Sequence, residues 1–245
     1  MGAWTIQGKL PKLSKPILIE GLPGIGNVGK VAADFLIMEL KAKKVMTFFS
    51  HSLPHTVFVQ PKNLVKLPEL SLYHTRVKSK DVLLLAGDVQ PVDEQGCYTF
   101  CEELIALTKH ANVQEIVTLG GIGLHEAPEH PKVYCAGSIP SIVSAYKKIG
   151  LKEELYGVVG PIIGITGVLV GIAGQHNIPA VALLAETHGH PMAVDPQGAA
   201  ELVKVLQKRF GFSIDAKKLQ KPKQDDAAML AGDEESHEDR QQYIG

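Results

Sequence analysis

The sequence predicts an α/β protein, a three-layer sandwich in which a mixed, mostly parallel sheet lies between two layers of helices. Short apolar runs alternate with helical patterns along most of the 245-residue chain, and this alternation is typical of sheets covered by helices on both faces. Several runs are apolar at every position, as expected of strands buried on both sides. A hydrophobic content of 45% is sufficient for one large core.

Each predicted element is based on a local pattern. Six apolar runs are short enough for strands and lie at Ile17–Glu20, Val45–Phe49, Val57–Val59, Val82–Ala86, Ile116–Leu119 and Ala180–Leu184. Five segments have apolar residues at helical spacing and lie at Val28–Leu40, Cys97–His110, Ile139–Ile149, Ile165–Ala173 and Gly198–Phe210. No helical segment separates Leu53–Val59 from Leu70–Val77, so we expect part of the sheet to be antiparallel.

A change in charge divides the chain into an α/β core domain, residues 1–215, and a flexible acidic C-terminal arm, residues 216–245. Residues 221–245 contain seven acidic and three basic residues, a net charge of −4, whereas the whole chain carries −1. Apolar residues follow no sustained period in this segment. A segment of this composition buries too little apolar surface to offset its loss of conformational entropy.

The most informative motif is the glycine turn, GLPGIGNVGK, between the first apolar run and the first helical segment. Gly24, Gly26 and Gly29 match the GxGxxG pattern of dinucleotide-binding folds, and Asn27 lies within it. A helix that begins at such a turn can bind a small anion. Val31, however, stands where a P-loop has Ser or Thr. The alternative is a tight turn whose glycines let a helix approach the sheet closely.

Polar residues follow several predicted strands, at the edge where open α/β sheets bind their ligands. They are Glu20, Asp88, His125 with Glu126, and Glu186 followed by His188 and His190. Carboxylates whose pKa values are separated by burial can act as general acid and general base. The opposing interpretation is that these are ordinary polar residues of strand-ending loops.

The sequence gives little support to metal or nucleic-acid binding. His188 and His190, with His51 and His55, lack the ligand spacing of a zinc site, and we expect neither a metal nor a cofactor. Three cysteines cannot form a paired framework, which favours reduced thiols in a cytoplasmic protein. No basic patch is interleaved with aromatic residues, so nucleic-acid binding is not indicated.

A membrane span is also not expected. The stretch Val158–Ala173 is apolar for almost the length that a thin bilayer requires. Pro161 interrupts it, glycines recur every three or four residues, and no basic or aromatic anchor flanks it. We therefore expect a buried helix whose glycines face the sheet, and a protein of the cytoplasm.

Six blocks in the chain together resemble the archaeal proteasome assembly chaperone family, the homologues of the eukaryotic proteasome assembly chaperone 2. The blocks are ILIEGLPGIGNVGKVAADFLI, SHSLPHTVFV, LLLAGDVQPVDEQGCYTF, IVTLGGIG, VVGPIIGITGVLVGIA and LLAETHGHPMAVDPQGA, in the order of that family. The resemblance implies a phosphorylase/hydrolase-like α/β fold that serves protein binding without known catalysis. It also implies a homo-oligomer whose partner is the 20S proteasome.

The same resemblance implies a role for the last four residues. In this family the arm ends in a hydrophobic residue, a tyrosine and one further residue, which dock between proteasome α subunits. Here the corresponding residues are Gln242, Tyr243, Ile244 and Gly245. The tyrosine stands third from the end of the sequence instead of second, and Gln242 takes the place of the apolar residue.

Two classes of function remain at this stage. The first is a non-enzymatic proteasome assembly chaperone or activator that binds α subunits through its arm. The second is a nucleotide- or small-molecule-dependent enzyme that uses the Gly24–Gly29 turn with strand-end carboxylates.

Overall fold

The computed structural model describes residues 4–126, 128–151, 154–157, 159–189 and 194–220. The strands of this part of the chain are β1 (Thr5–Gly8), β2 (Ile17–Gly21), β3 (Lys43–Phe49), β4 (Phe58–Gln60), β5 (Leu64–Lys66), β6 (Leu70–Val77), β7 (Lys80–Gly87), β8 (Glu115–Leu124), β9 (Val133–Gly137) and β10 (Ala180–His188). The α-helices are α1 (Val28–Glu39), α2 (Glu94–His110), α3 (Pro140–Lys148), α4 (Ile165–Gln175) and α5 (Pro196–Phe210). Short 3₁₀ turns span Ile25–Asn27, Pro61–Asn63 and Ala216–Gln220.

Eight strands form one mixed sheet in the order β1-β3-β6-β7-β2-β8-β10-β9, and β4 and β5 form a separate two-stranded ribbon. The three central pairings, β7 with β2, β2 with β8 and β8 with β10, are parallel. The four outer pairings are antiparallel. The prediction of a mixed α/β sheet with an antiparallel part is confirmed. The prediction that it is mostly parallel is wrong, because both flanks of the sheet are antiparallel.

Helices cover both faces of the sheet and create two apolar clusters. Side chains of α2 and α4 pack on one face with Leu18, Leu83 and Ile116. Side chains of α1, α3 and α5 pack on the other face with Ile19 and Leu84. Alternate residues of β2 and β7 therefore enter opposite clusters, which explains why these strands are apolar at nearly every position.

The helix α4 differs from its prediction. It begins at Ile165, after the glycine at its N-cap, and its buried side chains include Thr166, Leu169 and Ile172. The glycines do not face the sheet: a Cβ at Gly171 would meet open space, and one at Gly167 would overlap the carbonyl oxygen of Ile162. Branched and aliphatic side chains, not glycines, therefore form the contact between α4 and the sheet.

The C-terminal part of the core ends at the amino-terminal edge of the parallel strands. The helix α5 starts after the carboxyl end of β10 and runs to Arg209, which is bound to Glu115, the first residue of β8. The 3₁₀ turn Ala216–Gln220 packs on α5, with Ala216 buried. This turn lies within the range 216–245 that the sequence assigns to the arm. Residues 221–245 lie outside the described residues.

Candidate functional sites at the two edges of the sheet

The glycine turn brings α1 into direct contact with the sheet. A Cβ at Gly29 would overlap the carbonyl oxygen of Leu119 in β8, and a Cβ at Gly26 would overlap the side chain of Thr187 in β10. Gly26 also has a φ of 61°, in the left-handed region that favours glycine. At Gly24, by contrast, a Cβ would meet nothing within 4 Å. Close packing therefore accounts for Gly26 and Gly29, but not for Gly24.

Neighbouring segments hold the turn in place. The amide of Asp195, the N-cap of α5, donates to the carbonyl of Gly26 over 2.9 Å. Gln90 donates to the carbonyl of Pro23 over 2.5 Å and accepts from the first amide of α4 over 3.1 Å. The fully buried Thr187 hydroxyl under Gly26 has no hydrogen-bond partner among the described residues. Anion binding at Gly24, Gly26, Asn27 and Gly29 stays a prediction.

Glu20 is the carboxyl group with the most strongly raised pKa in the described part of the chain. It is completely buried beneath α2 and α4. Its carboxyl group accepts from the Leu22 amide over 3.1 Å and from the Thr166 hydroxyl over 3.4 Å. Loss of hydration on burial outweighs these hydrogen bonds and raises the pKa of Glu20 to about 8. Glu20 is therefore a protonated carboxylic acid at neutral pH.

The other strand-end carboxylates have separate surroundings. Asp88 lies in a polar pocket with Lys30, Lys44 and Glu69. Glu186 accepts from the Lys132 amide and from the Tyr134 hydroxyl, each over 2.9 Å, at the β9 edge of the sheet.

The structure thus connects Glu20, Asp88 and Glu186 to three different sets of neighbours, and none of the contacts among the described residues joins these carboxylates as an acid and base pair. His125 and Glu126 follow β8 on the surface, where both are more exposed than the strand that precedes them.

The predicted absence of a metal site is not tested by a structure without ligands, but the histidines can be placed. His51 lies beside Phe49, with ring centroids 5.7 Å apart, and His55 is exposed in the following loop. His188 ends β10, and His190 lies outside the described residues. No three His, Cys, Asp or Glu residues in the described part are grouped as metal ligands would be.

Two thiols approach Glu20 from α2. Cys97 is half-buried and Cys101 is buried one helical turn later. A hydrogen bond from Cys101 lowers the pKa of Cys97, and the same contact, with burial, raises the pKa of Cys101. The described cysteines are all free, in agreement with the prediction of reduced thiols.

The β4–β5 ribbon exposes an apolar surface that sequence analysis missed. Val59 and Val65 are directly opposite each other across the two strands and are 74% and 66% exposed. Leu64, Val57 and Leu67 on the same segment are also exposed. A contiguous apolar patch of this kind usually marks an interaction surface. The signal was present in the sequence, where two short apolar groups, Val57–Val59 and Leu64 to Leu67 with Lys66 between them, follow each other with no helical segment to cover them.

At the opposite, amino-terminal edge of the sheet, a buried ion pair borders a cavity. Arg209 donates to both carboxylate oxygens of Glu115, over 3.2 Å from Nε and 2.5 Å from Nη2. The Tyr146 hydroxyl donates to the same carboxylate over 2.7 Å. Burial and this negative neighbour raise the pKa of Tyr146, so its hydroxyl stays protonated. The guanidinium also lies 5.2 Å from the centre of the Tyr146 ring.

The structure bears only on part of two further predictions, the partner-binding residues of the arm and the absence of a membrane span. Gln242, Tyr243, Ile244 and Gly245 all lie outside the described residues. Among the helices that the structure describes, none has both the length and the apolar character needed to cross a bilayer.

Comparison with solved structures identifies relatives over almost the full length of the chain. Pyrococcus furiosus PbaB, described as an archaeal proteasome activator, is 31% identical with a TM-score of 0.85, covering 96% of this chain and 100% of that one. Pyrococcus furiosus PbaA, described as an archaeal homologue of proteasome-assembly chaperone, is 25% identical with a TM-score of 0.75, covering 93% and 89% of the two chains.

Comparison with curated sequences also finds relatives. The uncharacterized protein MJ1210 of Methanocaldococcus jannaschii is 29% identical over 209 residues, which cover 85% of this chain and 79% of that protein. A family model described as PAC2 family matches residues 18–230. The match includes the glycine turn, both faces of the sheet and the start of the acidic segment. The chain belongs to the PAC2 family.

Proposed function

We propose that this protein is a cytoplasmic, non-enzymatic proteasome assembly chaperone or activator that binds α subunits of the 20S proteasome through its C-terminal arm. The observation that carries the proposal is the similarity to PbaB over 96% of this chain and all of that one, at 31% identity. The separate surroundings of Glu20, Asp88 and Glu186 agree with a non-catalytic role, because general acid and base catalysis requires groups that reach one substrate.

The composition of the arm supports its use as a tethered ligand. Tyr243 and Ile244 form an apolar pair at the end of a segment with net charge −4. One such anchor buries little surface and loses part of its binding energy to the ordering of the chain, so a single arm should bind weakly. Several arms on one oligomer could bind repeated pockets with an affinity raised by ~10² to 10⁴.

Truncation after Gln241 should abolish this binding. Removal of Gln242–Gly245 takes away the anchor, and we expect affinity for purified archaeal 20S proteasome and for its isolated α subunits to fall at least ~100-fold, as expected for a lost multivalent anchor. Surface-immobilised proteasome and a concentration series of each variant give the dissociation constants. Circular dichroism and sedimentation velocity should be identical for the intact and truncated chains.

A matched control uses the second apolar pair of the same arm. Substitution of Met229→Ser together with Leu230→Ser changes hydrophobicity within the acidic segment but leaves the terminal residues intact. This variant should bind as tightly as the parent. Equal affinity of the truncated and intact chains for the proteasome would refute docking through the terminus. Loss of affinity in the control variant alone would show that the anchor lies in the middle of the arm.

We further propose that the protein is a homo-oligomer whose subunits meet through the β4–β5 ribbon, because its exposed valines and leucines have no large apolar partner in the described part of the core. The double substitution Val59→Glu with Val65→Lys should shift the protein to monomers in sedimentation velocity. The two new charges are opposite in sign and directly paired across the strands, so the ribbon itself should remain folded.

Met38→Glu provides the control for this test. Met38 is an apolar residue of α1 that is 60% exposed and distant from the ribbon in the chain. A single charge there should leave the subunit number unchanged. Oligomers that survive the double substitution would exclude the ribbon as the subunit interface.

A further inference from the structure

The amino-terminal edge of the sheet contains a cavity whose rim is basic. It has a volume of about 410 Å³, and Lys15, Lys80 and Arg209 line it together with the hydroxyl-bearing Ser14 and Ser79. Lys78 extends the same surface, because its Nζ atom lies beside Gly211 at the end of α5. Lys15, Lys78 and Lys80 form no ion pair with any residue that the structure describes.

The carboxylate that lines this cavity does not cancel its charge. Glu115 is 6% exposed, and Arg209 and Tyr146 together occupy its oxygens. The pair of Glu115 and Arg209 is neutral, so the lysines give the rim a net positive charge. Such a concave surface attracts an anionic ligand and loses affinity as salt screens the charges.

The last described residues before the acidic segment lie close to this cavity. Phe210 lines the cavity, and its ring centroid lies 5.7 Å from that of Phe212. Gln207 of α5 then donates to the Ile214 carbonyl over 2.6 Å, and Lys218 binds Glu39 at the end of α1. The last described residues therefore remain at the amino-terminal edge.

The arm is also long enough to reach back to the cavity. Its first acidic residue, Asp225, is five positions after Gln220, which allows a span of up to about 17 Å in an extended chain. Six more carboxylates follow before Arg240. A short tether of this kind gives an effective concentration in the ~mM range, so weak charge pairs are sufficient for docking.

We propose that, in the free protein, the acidic segment Asp225–Asp239 docks on the basic cavity of its own chain through Lys15, Lys78 and Lys80. The segment has seven carboxylates, the ammonium groups of the cavity rim have no ion-pair partner among the described residues, and the chain that leads to the segment is described up to this edge of the sheet. The docked arm holds its terminal residues near the amino-terminal edge of the sheet. A partner that binds the arm must compete with this internal contact.

Zero-length cross-linking of the full-length protein tests the contact directly. A carbodiimide joins a lysine to a carboxylate only when the two touch, and peptide mapping identifies the joined residues. At low salt we expect arm carboxylates to be joined to Lys15, Lys78 and Lys80 at least fivefold more often than to Lys62 and Lys66, exposed lysines of the β4–β5 segment near the opposite edge. At ~0.5 M salt, where charges are screened within about 4 Å, this preference should disappear. An even distribution over all lysines at low salt would overturn the proposal.

Two further experiments make the result decisive. Lys15→Gln with Lys80→Gln should reduce the cross-links to Lys78 several-fold, whereas Lys62→Gln with Lys66→Gln should leave them unchanged. A mixture of ¹⁵N-labelled and unlabelled protein shows whether the cross-linked acidic segment belongs to the same chain as the lysine or to a second copy. Cross-links within one isotope support docking on the same chain, and cross-links between isotopes overturn it in favour of a second copy. No proteasome is present, so the outcome is independent of the proposed function.

Discussion

Gly29→Ala is expected to destabilise the protein by more than about 4 kcal/mol, an effect at the upper end for single substitutions. A Cβ at this position would overlap the carbonyl oxygen of Leu119 in the neighbouring strand β8. Backbone atoms cannot rotate away, so α1 would have to move off the sheet. Ala32, Ala33 and Leu36, which are completely buried on the same helix, would then lose packing contacts as well.

Gly171→Ala is the matched control, because it places the same methyl group inside another α-helix. A Cβ at Gly171 of α4 would meet nothing within 4 Å. Alanine is favoured over glycine in a helix interior by about 0.5–1 kcal/mol, so this variant should be more stable than the parent. Urea unfolding followed by circular dichroism measures both changes. A stability loss below about 1 kcal/mol for Gly29→Ala would mean that α1 does not lie as close to β8 as the structure shows.

Glu20→Gln is expected to remove most of the loss of stability that the parent shows between pH 5 and pH 9. The carboxyl group has a pKa of about 8 in the folded chain and an ordinary value of 4.5. Below pH 4.5 both states hold the proton. Between these values only the folded chain holds it, so the free energy of unfolding falls as pH rises, by about 1.4 kcal/mol per pH unit. Above pH 8 both states are ionised and the fall ends.

The expected size of this effect is about 4 kcal/mol between pH 5 and pH 9. Glutamine has the shape of the neutral acid and no titratable proton, so the variant should lack this contribution. Glu103→Gln, at an exposed position of α2, is the control and should show the same pH dependence as the parent. Denaturant unfolding of the parent and both variants at the two pH values gives the six free energies of unfolding. An undiminished loss in Glu20→Gln would show that Glu20 is already ionised in the native protein.

Much of the core could be predicted from the sequence because burial on both faces leaves a strong local signal. The apolar runs of β2, β7 and β10 and the helical periods of α1, α2 and α5 all match elements of the structure within a few residues. The glycine turn was also located correctly between β2 and α1. Local patterns of this strength arise because the middle of a strand in a covered sheet faces apolar layers on both sides, where charged residues are rarely tolerated.

The edges of the sheet could not be predicted in this way. β1 is exposed at all four positions, and β9 pairs with β10 alone. β1 lacks the apolar run by which the central strands were recognised, and the short apolar run of β9, Val133–Ala136, was not predicted as a strand, so the count of antiparallel pairings was too low. Pairing partners also depend on long-range contacts, as for β2, whose neighbours β7 and β8 come from distant parts of the chain.

The candidate sites, too, could be predicted only where the sequence signal is local. Glu20 was identified from its position after a strand, but its complete burial depends on α2 and α4, which a local pattern does not show. The cavity at the amino-terminal edge combines Lys15, Lys80 and Arg209, three residues far apart in the sequence. Such a site exists only after folding. The arm, by contrast, is recognisable from composition alone, because its charge differs from that of the rest of the chain.

The direction of the chain at its two ends has a practical consequence for experiments. Trp4 donates to Thr99 near the start of α2, at the carboxyl-terminal edge of the sheet, whereas Lys218 lies at the amino-terminal edge beside the end of α1. An affinity tag or surface linker before Trp4 therefore presents the protein with the edge that contains Lys218 toward solution. A tag after Gly245 would instead place the surface next to the residues whose binding is to be measured.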